Sequence, residues 1–308
     1  MADGSVTAMR MHADELVIDD EAVRRMIADQ FPQWRDEPVR RLATDGTVSA
    51  IFRIGDALAA RFPLRDAEPR DVSALIAEEA AAMRELAACC PFPTPLPVAE
   101  GAPGTGYPLP WSVQTWLPGE VATPSGLAHS ESFTHDLVHL LHSLRAADTR
   151  GRPFRGVGRG GDLTHADAWM QECMEGSAGL LPVDRLRALW SRFRQLPGAG
   201  RNVMTHGDLT PPNLLVDGER LAGVLDGGGF GPADPALDLV AAWHLLDAGP
   251  RALLRRELEC DEVQWWRGAA WAFEQSMGLV WYYRESNPGM SGLGRSTLSR
   301  ILGDPEFA

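Results

Sequence analysis

Three side chains in one short stretch have the types and spacing that phosphoryl transfer uses. Asp208 follows His206 and Gly207, Asn213 stands five residues after it, and Asp226 comes after a pair of apolar runs. An aspartate on a loop can accept the proton of an acceptor hydroxyl and hold that oxygen in line with a nucleotide γ-phosphate. An amide oxygen beside a carboxylate is the hard-oxygen pair that Mg²⁺ accepts while keeping waters and phosphates as its other ligands. The set therefore implies ATP or GTP as co-substrate, with Mg²⁺ held by Asn213 and Asp226 and Asp208 as base.

The neighbouring sequence supplies elements to position them. Asn213-Leu214-Leu215-Val216 is apolar, Asp217-Gly218 is a turn dipeptide, and Leu221-Ala222-Gly223-Val224-Leu225 is a second apolar run, which together predict a β-hairpin. A hairpin returns the chain to its start, so Asp226 is expected beside Asn213. Pro211-Pro212 fixes two φ angles and is expected to keep the loop out of a helix. A lone His-x-Asp is more often a capped turn than a site, but the complete set arises far less often by accident. His206 reads as structural, its ring bonding loop backbone. A metallohydrolase using His206 and Asp208 would need further ligands, and no other His lies near in sequence.

The strings His206-Gly207-Asp208-Leu209, Asn213-Leu214-Leu215-Val216, Gly223-Val224-Leu225-Asp226 and Asp234-Pro235-Ala236-Leu237-Asp238-Leu239 resemble the aminoglycoside phosphotransferase family, which includes macrolide and other antibiotic kinases. The resemblance covers nearly the whole chain, with Tyr107-Pro108-Leu109-Pro110-Trp111-Ser112-Val113 and Arg159-Gly160-Gly161 similar to the family's linker and mid-chain patterns. It implies an α+β, bilobal protein-kinase-like fold: a small β-rich N-lobe over 1–117 for nucleotide and a larger helical C-lobe over 118–308 for catalysis and acceptor. It also implies Asp208 as base, Asn213 and Asp226 on magnesium, and Asp238 as a buried aspartate holding the catalytic loop. Where many members carry Phe-Gly or Trp-Gly after the metal aspartate, this chain has Gly227-Gly228-Gly229, which is expected to leave local packing less determined.

The chain contains no lysine, so all 29 basic side chains are arginine. Kinases ordinarily place a lysine on the third strand against the α- and β-phosphates. Residues 47–54 and 57–62 read as two strands joined by Gly55-Asp56, and Arg61 in the second is the stand-in, a fork of donors in place of a point charge. The stretch 72–89 reads as an alanine-rich helix, and the family resemblance implies that its Glu79, with Glu78 as a neighbouring candidate, pairs with Arg61. Gly46 and Thr47 lie in a turn where a phosphate-covering loop would be, although one glycine is a weak signal and the missing lysine excludes a Walker A motif. Residues 111–117 read as a strand whose end, with Gln114 and Trp116, should form the hinge meeting the purine.

The helix beginning at Ser130 carries His135, His139 and His142, to which no role is assigned, and 237–246 reads as a further helix. Glu172 and Glu175 on one probable helix, with Glu274, Trp281, Tyr282 and Glu285 near the C-terminus, border the acceptor pocket by family analogy. Carboxylates there would suit an aminoglycoside, aromatic walls a macrolide or nucleoside, although core packing is the better reading for most tryptophans.

The formal net charge of −13 argues against nucleic acid as partner and is compatible with a cationic substrate. Cys89, Cys90, Cys173 and Cys260 have no CxxC spacing, no long apolar stretch exists, and the N-terminus lacks a basic region followed by an apolar core, so a cytoplasmic protein, monomer or homodimer, is expected. The expected activity is phosphorylation of an antibiotic hydroxyl, conferring resistance. The competing readings are a kinase of a metabolic alcohol such as choline or homoserine, and a nucleotide-binding pseudokinase scaffold, against which the complete base and metal set argues.

Overall fold

The computed structural model describes residues 16–42, 49–156 and 158–307. Over these, the chain divides into two compact units, one of Met1–Ala80 with Leu96–Trp116, the other of Ala81–Pro95 with Leu117–Ala308.

The first unit is built on five antiparallel strands, β1 (Val39–Arg41), β2 (Ser49–Ile54), β3 (Leu58–Pro63), β4 (Pro97–Gly101) and β5 (Trp111–Thr115), in the order β1-β2-β3-β5-β4. Gly55, at φ +55°, takes the left-handed conformation that the tight β2–β3 turn requires. In β3 the completely buried Ala60 and Phe62 flank a half-buried Arg61, the alternation of a sheet with one apolar face. That face packs Phe52, Phe62, Trp111 and Tyr107 with helix α1 (Asp20–Gln30), whose N-terminus Asp19 caps by accepting from the Ala22 amide at 3.1 Å. Helix α2 spans Pro69–Cys89 and contributes residues to both units. The expected strand start at 47 lies outside the described residues.

In the second unit, β6 (Glu120–Val121), β8 (Leu214–Asp217) and β9 (Arg220–Val224) form one small sheet, while β7 (Val203–Thr205) and β10 (Gly231–Ala233) form another. Around them stand α3 (Glu131–Ala146), α4 (Asp167–Gly176), α5 (Val183–Phe193), α6 (Val240–Leu245), α7 (Ala248–Glu257), α8 (Glu262–Tyr282) and α9 (Pro288–Leu302). Ser130 caps α3 and Asp261 caps α8 through their side chains. The expected helix over 237–246 is instead a 3₁₀ turn, Leu237–Leu239, running into α6. Trp243, Trp265 and Trp271 are buried, as core packing requires of large apolar rings. His135 pairs with Glu257 at 3.0 Å at the surface.

The β8–β9 hairpin forms with one shift from the sequence expectation. Asp217 pairs with Arg220 in the ladder, so the two turn residues are Gly218 and Glu219, with Gly218 at φ +58°. The Leu225 amide donates to the Asn213 carbonyl at 2.8 Å, which returns the chain to the hairpin's start. Pro211–Asn213 makes a single 3₁₀ turn rather than a helix-free loop, because a fixed φ near −65° suits a first helical turn whose amides are unbonded anyway.

One buried ion pair ties the helices of this unit to the loops that carry the site. Asp234 and Arg267 are 1% and 2% exposed. The Asp234 carboxylate receives Arg267 Nε at 2.7 Å, Trp271 Nε1 at 2.8 Å and the Ala236 amide at 2.9 Å. Arg267 donates its remaining protons to the carbonyls of Pro197 and Gly161, so α8 is fastened to the segment next to Arg159. Replacing Asp234 by alanine strands a buried guanidinium and should cost about 3–5 kcal/mol in denaturant unfolding. The Asp234→Leu/Arg267→Met double variant should lose less than Asp234→Ala, since neither charge is then left unpaired; a larger loss in the double variant contradicts this account.

Candidate functional site

β7 ends at Thr205 and the chain enters an irregular loop whose amides are taken up by one carboxylate. Asp238, 2% exposed, accepts the His206 amide at 2.8 Å on one oxygen and the Gly207 amide at 2.9 Å on the other. Burial pushes its carboxyl above the usual range against the pull of His206 and these amides. The imidazole of His206 is spent on backbone as well. Its Nε2 donates to the Leu225 carbonyl at 2.8 Å, and Nδ1 accepts the Asp208 amide at 3.3 Å, an arrangement that fits one neutral tautomer. The ring therefore links the segment carrying Asp208 to the residue before Asp226. Gly207 has φ +85°, which a side chain would strain.

Asp208 is held on several sides while remaining 43% exposed. Its Oδ1 receives Gln275 Nε2 at 2.7 Å and Arg159 Nη2 at 3.4 Å. Its Oδ2 receives Asn213 Nδ2 at 3.0 Å, and the same nitrogen donates to the Asp208 carbonyl at 2.9 Å. Two acceptor positions on Oδ1 are thus occupied, whereas among the described residues Oδ2 receives only Asn213, which leaves a lone pair for an incoming hydroxyl. Because both Asn213 amide protons point at Asp208, its Oδ1 faces away from the base and is available as a hard-oxygen ligand. Asp226, which follows the hairpin, has φ 57° and ψ 44°, a left-handed conformation uncommon for a residue with a side chain. Among the described residues no three His, Cys, Asp or Glu side chains stand together as a metal group. A cation on Asn213 and Asp226 would complete its shell with waters and phosphate oxygens, as Mg²⁺ does.

At the first glycine after Asp226 the packing is close, where composition had suggested looseness. A Cβ on Gly227 would lie 2.4 Å from Cδ2 of the completely buried Leu86. Leu86 of α2 therefore leaves no room for a side chain at position 227.

Arg159 stands between two carboxylates. Its Nη1 is 3.6 Å from Glu274 Oε2, an ion pair longer than a hydrogen bond, and that oxygen has no hydrogen-bond partner among the described residues. Burial pushes the Glu274 carboxyl up, and the nearby guanidinium offsets this only in part. Of the acceptor-side carboxylates expected from sequence, Glu274 is the one joined to Asp208 through Arg159. Glu172 and Glu175 are exposed on α4, with Glu175 accepting from Gln171 at 2.6 Å, and Glu285 is exposed after α8. Trp281 packs over Gly176 and lies 6.2 Å from Trp169 and 5.8 Å from Tyr282, so α4 and the end of α8 do meet. Tyr282 is 40% exposed.

On the nucleotide side, Arg61 lies in β3 opposite Ile51 and Ser112, and Glu79 lies on α2. Gln114 is in β5 between Ala59 and Pro97, and the Trp116 amide is already bonded to the Ala57 carbonyl at 2.7 Å, with Arg53 over its ring at 5.0 Å. That amide is thus engaged within the first unit. Gly46 and Thr47 lie outside the described residues. Sequence reasoning missed the contacts of Arg159 and Gln275 with Asp208. Arg159 had been noted only as part of a glycine-rich pattern, and Gln275 carried no signal beyond its place beside Glu274.

Comparison with known proteins accords with this arrangement. A curated aminoglycoside 3′-phosphotransferase of Streptomyces fradiae is 30% identical over 194 residues, 59% of this chain and 64% of the relative, so the chain spans somewhat less than two thirds of that protein's length. The GDP and kanamycin complex of APH(2″)-IIIa superposes with a TM-score of 0.69 at 17% identity, covering 91% of this chain and 97% of that one. The macrolide 2′-phosphotransferase MphH of Brachybacterium faecium, as apoenzyme, gives 0.55 at 19% identity, covering 86% and 92%. These likenesses show a kinase-like fold with a five-stranded antiparallel sheet in one unit and a helical second unit. The phosphotransferase enzyme (APH) family model matches residues 38–271, and the chain belongs to that family.

Proposed function

We propose that this protein transfers the γ-phosphate of ATP or GTP to a hydroxyl of an antibiotic and so inactivates the drug. The observation that carries the reading is the state of Asp208: fixed by Asn213, Gln275 and Arg159, yet 43% exposed, with one lone pair of Oδ2 unclaimed among the described residues. A structural aspartate would be covered; a base must be held and reachable at once. The names of the relatives, which act on aminoglycosides or macrolides, support an antibiotic as acceptor.

In this reading residues 1–117 bind the nucleotide and 118–308 carry the catalytic loop and acceptor site. Arg61 supplies the guanidinium against the nucleotide phosphates, supported by Glu79, with Gly46, Thr47 and the Gln114 strand end also on the nucleotide side. Asn213 and Asp226 would hold Mg²⁺, which when bound neutralises phosphate charge. Asp208 takes the acceptor's proton on Oδ2 and orients its oxygen. Arg159, beside Oδ1, adds a cation near the oxygen on which charge develops. Glu274, Trp281 and Tyr282 are acceptor-side residues, with Glu172, Glu175 and Glu285 more peripheral. Four unpaired cysteines suit a reducing cytoplasm, and no described helix is long and apolar enough to cross a membrane.

A coupled nucleotide-turnover screen against aminoglycosides, macrolides, nucleoside and peptide antibiotics, and small amino alcohols tests the proposal. Turnover with amino alcohols alone would favour a metabolic kinase, and nucleotide binding without turnover would favour a pseudokinase. With the best acceptor, Asp208→Asn should lower kcat roughly 10²-fold or more while nucleotide affinity survives. Near-normal turnover removes Asp208 from its role.

Charge and geometry at Arg61 are separable. Arg61→Ala should weaken nucleotide binding and turnover together, and Arg61→Lys should retain part of both because the charge persists and the fork is lost. Calorimetry showing parent-like affinity in Arg61→Ala would contradict the substitution of arginine for lysine.

A further inference from the structure

Behind Asp208 runs a line of polar side chains that the phosphoryl-transfer reading does not use. Gln275 on α8 donates from Nε2 to Asp208 Oδ1 at 2.7 Å, and its Oε1 lies 3.0 Å from Nε2 of His244 on α6. The other ring nitrogen, Nδ1, lies 2.7 Å from Thr297 Oγ1 on α9. His244 and Thr297 are both 0% exposed. Three helices thus each contribute one residue to a chain ending on the candidate base.

The chemistry of the groups fixes the direction of every bond. A carboxylate only accepts, so Gln275 must turn its amide nitrogen to Asp208 and its oxygen away. An amide oxygen also only accepts, so His244 must carry its proton on Nε2. Burial drives the ring to a pKa of about 4, with the Gln275 bond and the charge of Asp208 opposing and Arg159 and Arg300 adding to the fall, so the imidazole is neutral near pH 7. Nδ1 of a neutral Nε2–H ring offers only a lone pair, and Thr297 must give it the hydroxyl proton. Thr297 Oγ1 also lies 3.0 Å from the Leu293 carbonyl, one turn back on α9, but the ring nitrogen has the greater need, since a backbone carbonyl in a helix has its own amide donor.

We propose that Thr297, His244 and Gln275 form a one-way donor chain that sets the orientation of Asp208, making Gln275 and His244 positioning residues for phosphoryl transfer. This rests on the reading of Asp208 as the base. An amide looks nearly alike from its two ends, and Gln275 alone could present either to its neighbours. A flipped Gln275 would put oxygen against the carboxylate, which cannot donate to it, and would oblige His244 to carry its proton on Nδ1 and Thr297 to accept there while donating to the Leu293 carbonyl. The carboxylate therefore selects the amide's orientation, and His244 in its Nε2–H tautomer holds it. The Arg300 bond to the His244 carbonyl at 3.0 Å holds the end of α6 where the ring can do so. Arg159 and Asn213 complete the polar surroundings of the base from other segments, and Glu274, beside Gln275 on α8, faces Arg159.

A double-mutant cycle on the intact protein tests the chain. Gln275→Leu and His244→Leu should each lower kcat about tenfold, the worth of one charge-assisted hydrogen bond, with KM for nucleotide unchanged. Their combination should be no slower than Gln275→Leu alone, because His244 acts only through the amide. His244→Gln, whose amide N–H can replace the ring donor, should recover most of the loss. Additive losses, a raised nucleotide KM, or parent-like rates in both single variants overturn the proposal while leaving the turnover of the parent to judge the function itself. A second measurement needs no acceptor and holds even where a variant folds poorly: ¹⁵N NMR of the parent at pH 7 should show His244 neutral with its proton on Nε2. A ring protonated on Nδ1, or on both nitrogens, defeats the donor chain irrespective of activity.

Discussion

A loop that presents a catalytic side chain has no ladder or helix to satisfy its amides, and in this protein the burden falls on Asp238. Two backbone N–H groups in succession, those of His206 and Gly207, end on its two oxygens. Buried amides without partners would cost about 1–3 kcal/mol each, so the loop is only as rigid as this carboxylate. From it the dependence spreads outward. The fixed backbone aims the His206 ring, and the ring in turn ties the Asp208 amide to the Leu225 carbonyl. Base and hairpin end are thereby set by one carboxylate and one imidazole. The 3₁₀ turn that bears Asp238 continues directly into α6, which carries His244, so the element that anchors the loop also reaches the base from behind.

What could be read from the sequence was local. The hairpin after Asn213 follows from apolar runs on either side of a glycine turn. The β2–β3 pair follows from alternation around Gly55, and α3 from the helical spacing that begins at Ser130. Each is decided within a few residues by backbone preference. The environment of Asp208 is of another kind. Arg159 and Gln275 are 49 and 67 residues away in sequence, and tertiary packing brings them to Asp208, with the buried Asp234–Arg267 pair among the contacts that fasten α8 to the segment after Arg159. Nothing in a lone glutamine or in an arginine among glycines signals such a meeting. Even Glu274, picked out as an acid for a cationic substrate, is a buried carboxylate facing a guanidinium, which its residue type could not reveal.

The glycines after Asp226 show how composition misleads when packing is unseen. Three small residues in a row suggested freedom, yet Leu86 reaches from α2 to within 2.4 Å of where a Gly227 Cβ would lie. A bulky residue at 227 and a bulky residue at 86 are alternatives for one volume. Close-packed interiors resist overfilling as strongly as they resist cavities. The glycine is thus the condition for the helix to pack as it does.

In the proposed reading, the charge of the acceptor turns on the position of Arg159. Its guanidinium is shared between Asp208 at 3.4 Å and Glu274 at 3.6 Å, and neither contact is short enough to be a strong hydrogen bond. The side chain is about one-third exposed, and Gly158 at φ +72° has no atom near its would-be Cβ, so little packing restrains this part of the segment. A neutral acceptor can leave the arginine in place, where it faces the oxygen losing its proton. In that reading an ammonium group at Glu274 would compete with the guanidinium, exchanging one cation for another at a carboxylate that burial pushes toward its neutral form. The gain from a cationic acceptor at this position is therefore the difference between two ion pairs rather than the whole of one. A surface net charge of −13 raises the local concentration of cations without deciding that exchange.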